Sequence, residues 1–482
     1  MKFRVVLSIL GAVIFFVGAS MLIPMAVGLY FADGSASSLG LSALISMMLG
    51  AGLFLTLPRK RRGYDLGLKD GFGIVGFSWF GSALVGALPF MISGAIPEFH
   101  HAFFEAASGL TTTGSSILTD IEVVPKGILF WRSFTHWLGG MGIIVLSVAI
   151  LPYLGLGGMQ LYKAESPGPT KDKLRPRIQQ TAKLLWGVYI LITVACFALL
   201  MLAGMDWFDS ACHTFGTVAT GGFSTYNQSL GYFREPAIHY IVIFFMFLCG
   251  ISFSLHYRAL SGQPSAYTRP AELKFYVFLI LACTLIIFWS RSDQHLSNEQ
   301  NFRESLFQVV SIMTTTGYGT ADFETWLPIA QIVLLGLMFV GGCAGSTGGG
   351  LKVVRVLLLL RYLKVLLNQQ LHPSGVFVIK MDNQIVKREV IQNILGLFMV
   401  FVFLHMISSV LLTFWGVDIM TAITATLSCI SNIGPGLGDV GPTKNFATIP
   451  EPGIWVLSTC MIMGRLEIFS VLILFLPQTW RR

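Results

Sequence analysis

The sequence predicts an all-α polytopic membrane protein, with ten transmembrane helices and four re-entrant loops meeting on one axis. Three observations predict it. Of 482 residues, 54% are hydrophobic and only 12% charged, and the mean hydropathy is +0.71, which no soluble globular domain shows. A Thr/Gly stretch recurs four times at near-equal intervals. The basic residues that give the net charge of +8 gather in alternate loops.

In chain order, apolar runs of about 20 residues, enough to cross a bilayer, fall near 5–31, 36–57, 72–95, 127–152, 184–204, 236–256, 272–290, 327–350, 391–416 and 453–476. The first is too long for a cleavable leader's apolar core of about 7 to 15 residues, so it is expected to remain as a span. Basic clusters at Arg59–Arg62, at Lys163, Lys171, Lys173, Arg175, Arg177 and Lys183, and from Lys352 to Arg388 mark the cytoplasmic face. Lys2, Arg4, Arg481 and Arg482 put both termini there too, which an even number of crossings requires. The charge is thus a topology signal, and nucleic acid is not an expected partner. Trp131, Trp326, Trp455 and Trp480 fall near span ends and read as interface anchors in contact with lipid.

The recurring stretch reads Thr111-Thr112-Thr113-Gly114, then Ala219-Thr220-Gly221-Gly222, Thr314-Thr315-Thr316-Gly317 and Ser431-Asn432-Ile433-Gly434. With Gly114, Gly221, Gly317 and Gly434 as equivalent points, the intervals are 107, 96 and 117 residues. Each copy follows a short helical segment, near 101–110, 208–217, 303–313 and 419–430, about half the length needed to span. The divisions expected are a hairpin at 1–70 and four units at 71–183, 184–271, 272–387 and 388–482.

Irregular backbone at membrane depth is tolerated only where it is buried in protein or lines water. Four extended strands around one axis would meet that condition, and their carbonyl oxygens could replace the hydration shell of a monovalent cation. Glycine permits the backbone angles required, and the short helices' C-termini add partial negative charge. Acidic residues after the loops, Asp120, Glu122, Asp322, Glu324 and Asp439, would add to a cation-attracting vestibule or simply balance basic loops on the other face.

Two further features stand out. Gly345-Ser346-Thr347-Gly348-Gly349-Gly350 lies inside an apolar run; Leu351 follows where a phosphate loop needs Lys and Ser/Thr, so nucleotide binding is not expected. The glycines break the helix, leaving either a movable plug or a close helix contact. Arg465 sits in the last span, where a charge faces water or protein. It either reaches the cation path or forms an ion pair elsewhere, and Glu467 is poorly spaced to be its partner. Gly139, Gly140 and Gly142 read as a helix contact. Seven cysteines and nine histidines show no metal-ligand spacing, and no catalytic grouping is evident, so an enzyme is not expected.

The four loops, with Cys343 to Lys352 and Gly464-Arg465-Leu466-Glu467, closely resemble bacterial Trk-type potassium uptake proteins, the TrkH type within the Trk/Ktr/HKT superfamily. The resemblance covers essentially the whole chain. It implies four pore-helix/filter units in a pseudo-fourfold arrangement and potassium ions bound in the filter. It also implies a homodimer in the cell inner membrane and a TrkA-like cytoplasmic ring of nucleotide-binding regulatory subunits. Under it, Gly345 to Gly350 would be the gate and Arg465 would reach the pore below the filter. Glycine in all four filters implies preference for potassium; the departures at Ala219 and at Ser431-Asn432-Ile433 imply looser selection. The alternative within transport is potassium symport with sodium or protons.

Overall fold

The computed structural model describes residues 3–55, 67–149, 174–292, 296–382 and 384–480. The basic turn at Arg59–Arg62, most of the 163–177 cluster and the terminal basic residues Lys2, Arg481 and Arg482 lie outside them. An N-terminal hairpin is made of α1 (Phe3–Ser20), α2 (Leu22–Phe31) and α3 (Ser35–Leu55). It packs through small residues: Gly11 of α1 lies against the backbone of Gly50 in α3, and Gly18 against Ser46.

Four units follow, each with an outer helix, a short helix, a loop and an inner helix. Unit 1 holds α4 (Leu68–Gly86) with its continuation α5 (Leu88–Ile92), then α6 (Phe99–Leu110) and α7 (Lys126–Ala149). Unit 2 holds α8 (Leu174–Leu202), α9 (Trp207–Ala219), α10 (Pro236–Cys249) and α11 (Phe253–Leu260). Unit 3 holds α12 (Ala271–Ser290), α13 (Asn298–Met313), α14 (Pro328–Val340) and α15 (Val353–Leu371). Unit 4 holds α16 (Arg388–Phe414), α17 (Ile419–Ser431), α18 (Glu451–Arg465), α19 (Phe469–Phe475) and the short α20 (Pro477–Trp480). Between units 3 and 4, β1 (Lys380–Met381) pairs antiparallel with β2 (Gln384–Ile385).

Six helical runs are long and apolar enough to span, and two bent helix pairs add two more. With α7, and with α14 and the glycine segment after it, the crossings are those the sequence predicts. Two inner spans, however, are broken where the apolar runs are continuous. α10 and α11 meet at 97°, and α18 and α19 at 119°. The 327–350 run stops being helical at Gly341, whose φ of 77° no helix can carry. The break before α19 has a sharper cause: Glu467 and Ile468 both take positive φ, 59° and 53°.

The short helices are 12, 13, 16 and 13 residues long, or roughly 18 to 24 Å. Three are started by side-chain caps: Asp206 accepts from Asp209 N (2.8 Å), Ser297 from Gln300 N (3.1 Å) and Asp418 from Thr421 N (2.9 Å). Two tryptophans expected at the lipid interface are instead interior. Trp131 is fully buried and donates to Gly86 O, and the Trp326 ring lies 4.1 Å beneath the Arg291 guanidinium. Trp455 and Trp480 are exposed, as interface residues would be. The cysteines among these helices are free thiols, and all but Cys283 are buried.

Candidate functional site: a four-strand ring and the glycine loop beneath it

Each short helix ends in the same hydrogen-bonded turn. Thr113, Gly221, Thr316 and Ile433 donate their N–H to the carbonyls of Ser108, Gly216, Ser311 and Ser428, at 2.9, 2.7, 2.8 and 3.0 Å. One residue earlier, Thr112, Thr220, Thr315 and Asn432 donate to Gly109, Thr217, Ile312 and Cys429 and sit in the left-handed region, with φ between 52° and 59°. This paired closure is how a helix satisfies its last carbonyls before reversing into extended chain. Two residues on, a glycine is left-handed in every unit: Gly114, Gly222, Gly317 and Gly434, with φ of 85°, 85°, 80° and 110°. The equivalent glycine in unit 2 is therefore Gly222, not Gly221. Gly221 corresponds instead to Thr113.

These glycines close a ring. A Cβ on Gly114 would strike the carbonyl oxygen of Gly221; on Gly222, that of Thr316; on Gly317, that of Ile433. On Gly434 it would lie 2.9 Å from Thr113 O. Unit 1 thus abuts unit 2, unit 2 abuts 3, 3 abuts 4, and 4 returns to 1, always with the same carbonyl against the same glycine. The three residues before each glycine are almost wholly buried.

The loops beyond the strands are tied in the same cyclic order. Ile121 N donates to Asn227 Oδ1 (2.9 Å), Gly231 N to Gly319 O (3.1 Å), Gly438 N to Glu324 Oε1 (2.5 Å) and Phe446 N to Ser116 O (2.8 Å). Glu324 and Asp439 also face Lys444, at 3.4 and 4.0 Å, so part of the expected acidic vestibule is neutralised or spent on structure.

Behind the strands lies a polar layer that sequence reasoning missed. Glu105 of α6 is completely buried; it accepts from Arg132 Nε (2.6 Å), Ser116 Oγ (3.0 Å) and Ile117 N (2.8 Å). Arg132 continues to Ser224 O (2.8 Å) and lies 3.6 Å over the Phe223 ring, joining units 1 and 2. His136 donates from Nδ1 to Gly109 O (2.8 Å) and accepts Phe223 N at Nε2 (3.1 Å), a pattern only the neutral imidazole can make. A buried charge within an apolar helix was the available signal, since such a residue must find a partner.

Gly139 and Gly140 do form a close contact, but with the strands' supports: a Cβ on Gly139 would meet Leu110 O, and one on Gly140 would lie 2.9 Å from the Ala219 side chain.

The segment from Gly341 to Lys352 lies directly against the ring on the side of the helix ends. Thr347 Oγ1 is 3.2 Å from Thr220 Oγ1, and Gly349 N donates to Thr315 Oγ1 (2.6 Å). A Cβ on Gly348 would lie 2.9 Å from Thr314 O, and one on Gly349 would strike Ser431 O. The strands of units 2, 3 and 4 thus all touch it. Arg465 of the neighbouring unit 4 holds it by donating from Nη1 to Thr347 O (2.7 Å), while Nε and Nη2 find no partner among the described residues. Lys352 Nζ donates back to Gly348 O. Glu467 pairs with Arg355 at the start of α15. Phe253 N to Gly345 O (3.0 Å), Cys343 N to Gly250 O (2.9 Å) and Ala344 N to Glu272 Oε1 (2.6 Å) complete the hold.

A ring of four re-entrant helix-and-strand segments within a multi-pass helical bundle defines a class: membrane proteins built round a central ion path. The comparisons agree. The family described as TrkH, cation transport protein, matches residues 41–292 and 272–481, and this chain belongs to it. It is 40% identical over 489 residues to the Trk system potassium uptake protein TrkH of Escherichia coli K12, with both chains covered in full. The TrkH of Halomonas elongata is 41% identical over 489 residues, again with full coverage of both. The crystal structure of the potassium transporter TrkH from Vibrio parahaemolyticus superposes with a TM-score of 0.91 at 37% identity, covering 100% of each chain.

Proposed function

We propose that this chain takes up potassium across the cell inner membrane through the four-strand ring, with the glycine loop as its gate. The observation that carries this is the cyclic succession of one glycine and one carbonyl through all four units. Peptide oxygens so held can replace a cation's water shell without a charged ligand. The segments Thr111–Gly114, Ala219–Gly222, Thr314–Gly317 and Ser431–Gly434 form the filter. The relatives' names supply the ion.

Gly345 to Gly350, pinned by Arg465, closes the path beneath the filter. The unpartnered nitrogens of Arg465 are what a guanidinium facing a wet cavity would present. α15 grows directly from this loop and leads to the hairpin that starts at Lys380 and to Lys387 and Arg388 just after it, which support a cytoplasmic face for that end. A nucleotide-binding regulatory ring docked there could pull the loop through α15. The protein works as a homodimer with both termini cytoplasmic.

The test is flux in liposomes containing purified protein and its regulator. Potassium and rubidium are expected to pass faster than sodium, and Arg465→Ala to raise basal flux several-fold by freeing the Thr347 carbonyl. Absent potassium flux overturns the pathway; unchanged or reduced flux in well-folded Arg465→Ala overturns the gate. Uphill potassium movement driven by an imposed sodium or proton gradient would replace conduction by symport.

A further inference from the structure

The histidines, which show no metal pattern by spacing, do make one cluster in space among the described residues. Glu98, His100 and His101 each offer a ligand atom, and the three atoms lie within 4.8 Å of one another. Glu98 Oε2 is 3.4 Å from His100 Nε2 and 2.8 Å from His101 Nδ1. Two ligands bound at about 2.0 to 2.1 Å around a tetrahedral ion stand roughly 3.4 Å apart, so little movement is needed. Glu98 occupies the N-cap position of α6 yet makes no cap hydrogen bond. Its carboxylate turns instead to the two imidazoles, although capping is what an acidic group there ordinarily does.

A second carboxylate completes the arrangement. Glu451, in the first turn of α18, lies 3.9 Å from His100 Nδ1, the nitrogen left over when Nε2 faces Glu98. A carboxylate hydrogen-bonded to the distal ring nitrogen orients and strengthens a metal-bound histidine, and closing the 3.9 Å gap by a side-chain rotation would give Glu451 that place. Below it, Phe99 and Phe103 of α6 pack on Trp455 of α18, with ring centroids 5.7 and 5.2 Å apart. The cluster therefore straddles a packed seam between units 1 and 4, on the ring's face away from the glycine loop.

We propose that Glu98, His100 and His101 bind a divalent d-block metal ion, with Glu451 holding His100 in place. Imidazole and carboxylate suit Zn²⁺, Ni²⁺ and Cu²⁺ far better than Mg²⁺ or Ca²⁺. Three protein ligands leave a fourth position for water, so the ion binds reversibly from solvent. Because the ligands belong to unit 1 and the orienting group to unit 4, the ion stiffens the seam beside the first pore helix.

The experiment is calorimetric titration of ZnCl₂ into the full-length protein, purified without a histidine tag, beside a thermal-melt series. The expected result is one saturable site per chain and a raised melting temperature, since an ion bound only by the folded state stabilises it. The His100→Ala/His101→Ala pair should lose both effects, and Glu98→Gln should lose most of the affinity. Glu451→Gln should weaken binding about tenfold, as removal of an outer-shell partner does. Unchanged Zn²⁺ binding in the folded His100→Ala/His101→Ala protein, or none in the wild type, overturns the site. An unaltered affinity in Glu451→Gln overturns the role given to unit 4.

Discussion

The ring strands of units 1 and 3 and those of units 2 and 4 share one backbone but not one set of side chains. In unit 1, Thr111 Oγ1 donates to Ala107 O (2.6 Å) and so accepts from Thr113 Oγ1 (2.7 Å). Unit 3 repeats this with Thr314, Val310 and Thr316 at 2.7 and 2.8 Å. In units 2 and 4 the matching pairs are Ala219/Gly221 and Ser431/Ile433, which cannot make that lock. Those strands have contacts to their neighbours instead. Thr220 meets Thr347 of the glycine loop, and Asn432 Nδ2 donates to Thr113 Oγ1 and Met461 O, both at 2.9 Å. The hydroxyl lock of the pseudo-fourfold ring thus occurs in two of its four units. The hydrogen-bonded turn, the dihedral pattern and the glycine contact recur four times, so what the four units share is their backbone.

The strongest way to break this comparison is to put a side chain on a filter glycine. Gly114→Ser, Gly222→Ser and Gly317→Ser should each cut the potassium-to-sodium flux ratio at least about tenfold. A Cβ there falls on the next unit's carbonyl, and the residue must also hold a positive φ. Gly434→Ser should do less, because its Cβ would still be 2.9 Å from Thr113 O. Ion-selective flux in liposomes measures the ratio. Equal loss at all four would mean that φ alone, and not the carbonyl contact, sets the constraint.

Next in size is the residue nine places before each filter glycine: Glu105, His213, Gln308 and Ala425. Glu105 carries a buried ion pair; His213 Nε2 lies 2.9 Å from Ser224 Oγ; Gln308 donates to Ala321 O (3.3 Å). Glu105→Ala leaves Arg132 charged and uncompensated and should cost about 3 to 5 kcal/mol. Gln308→Ala should cost about 1 kcal/mol, the worth of one hydrogen bond. Thermal denaturation in detergent ranks them. Similar costs at the two sites would show that the pore helices are equally supported despite their different chemistry.

These side-chain differences also show what the sequence could convey. The short helices were legible because Thr/Gly runs close them, whereas the caps Asp206 and Ser297 were not, and the third helix starts at Asn298 and not near 303. The register of unit 2 was not, since Gly221 and Gly222 are adjacent and either could take a positive φ; only the turn closing on Gly216 decides it. The bends after Cys249 and Arg465 were hidden because the apolar runs continue through them. Arg465 and Thr347 are 118 positions apart, a separation across which no local pattern signals contact. The family resemblance covered the ring but not its polar backing, where Glu105 and Arg132 find each other 27 residues apart.

A smaller effect sharpens the link between units 4 and 1. Thr113 has given its proton to Thr111, so its lone pairs are free for Asn432. A double-mutant cycle of Thr113→Val with Asn432→Ala should show a coupling energy of about 0.5 to 1.5 kcal/mol in thermal denaturation. The cycle of Thr316→Val with Asn432→Ala should show none, since Thr316 makes the same lock without that neighbour. Coupling in both cycles would mean that the strands respond as one body.

The smallest expected effect is a gain. Thr112, Thr220 and Thr315 hold β-branched side chains in the left-handed region, a conformation costing on the order of 1 to 2 kcal/mol for such residues. Unit 4 has Asn432 at the same point, a residue that enters this region with less strain. Two of the threonines use their hydroxyls on the glycine loop, Thr220 toward Thr347 and Thr315 from Gly349 N. The Thr112 hydroxyl is buried without a partner among the described residues. Thr112→Asn therefore gives up no hydrogen bond and relieves the backbone, and should stabilise the protein by about 0.5 to 1 kcal/mol. Thr315→Asn should be neutral or destabilising, because strain relief is offset by the lost acceptor for Gly349. Melting temperatures of the two variants decide it: a fall for Thr112→Asn would mean that the threonine methyl packs the strand better than the dihedral strain suggests.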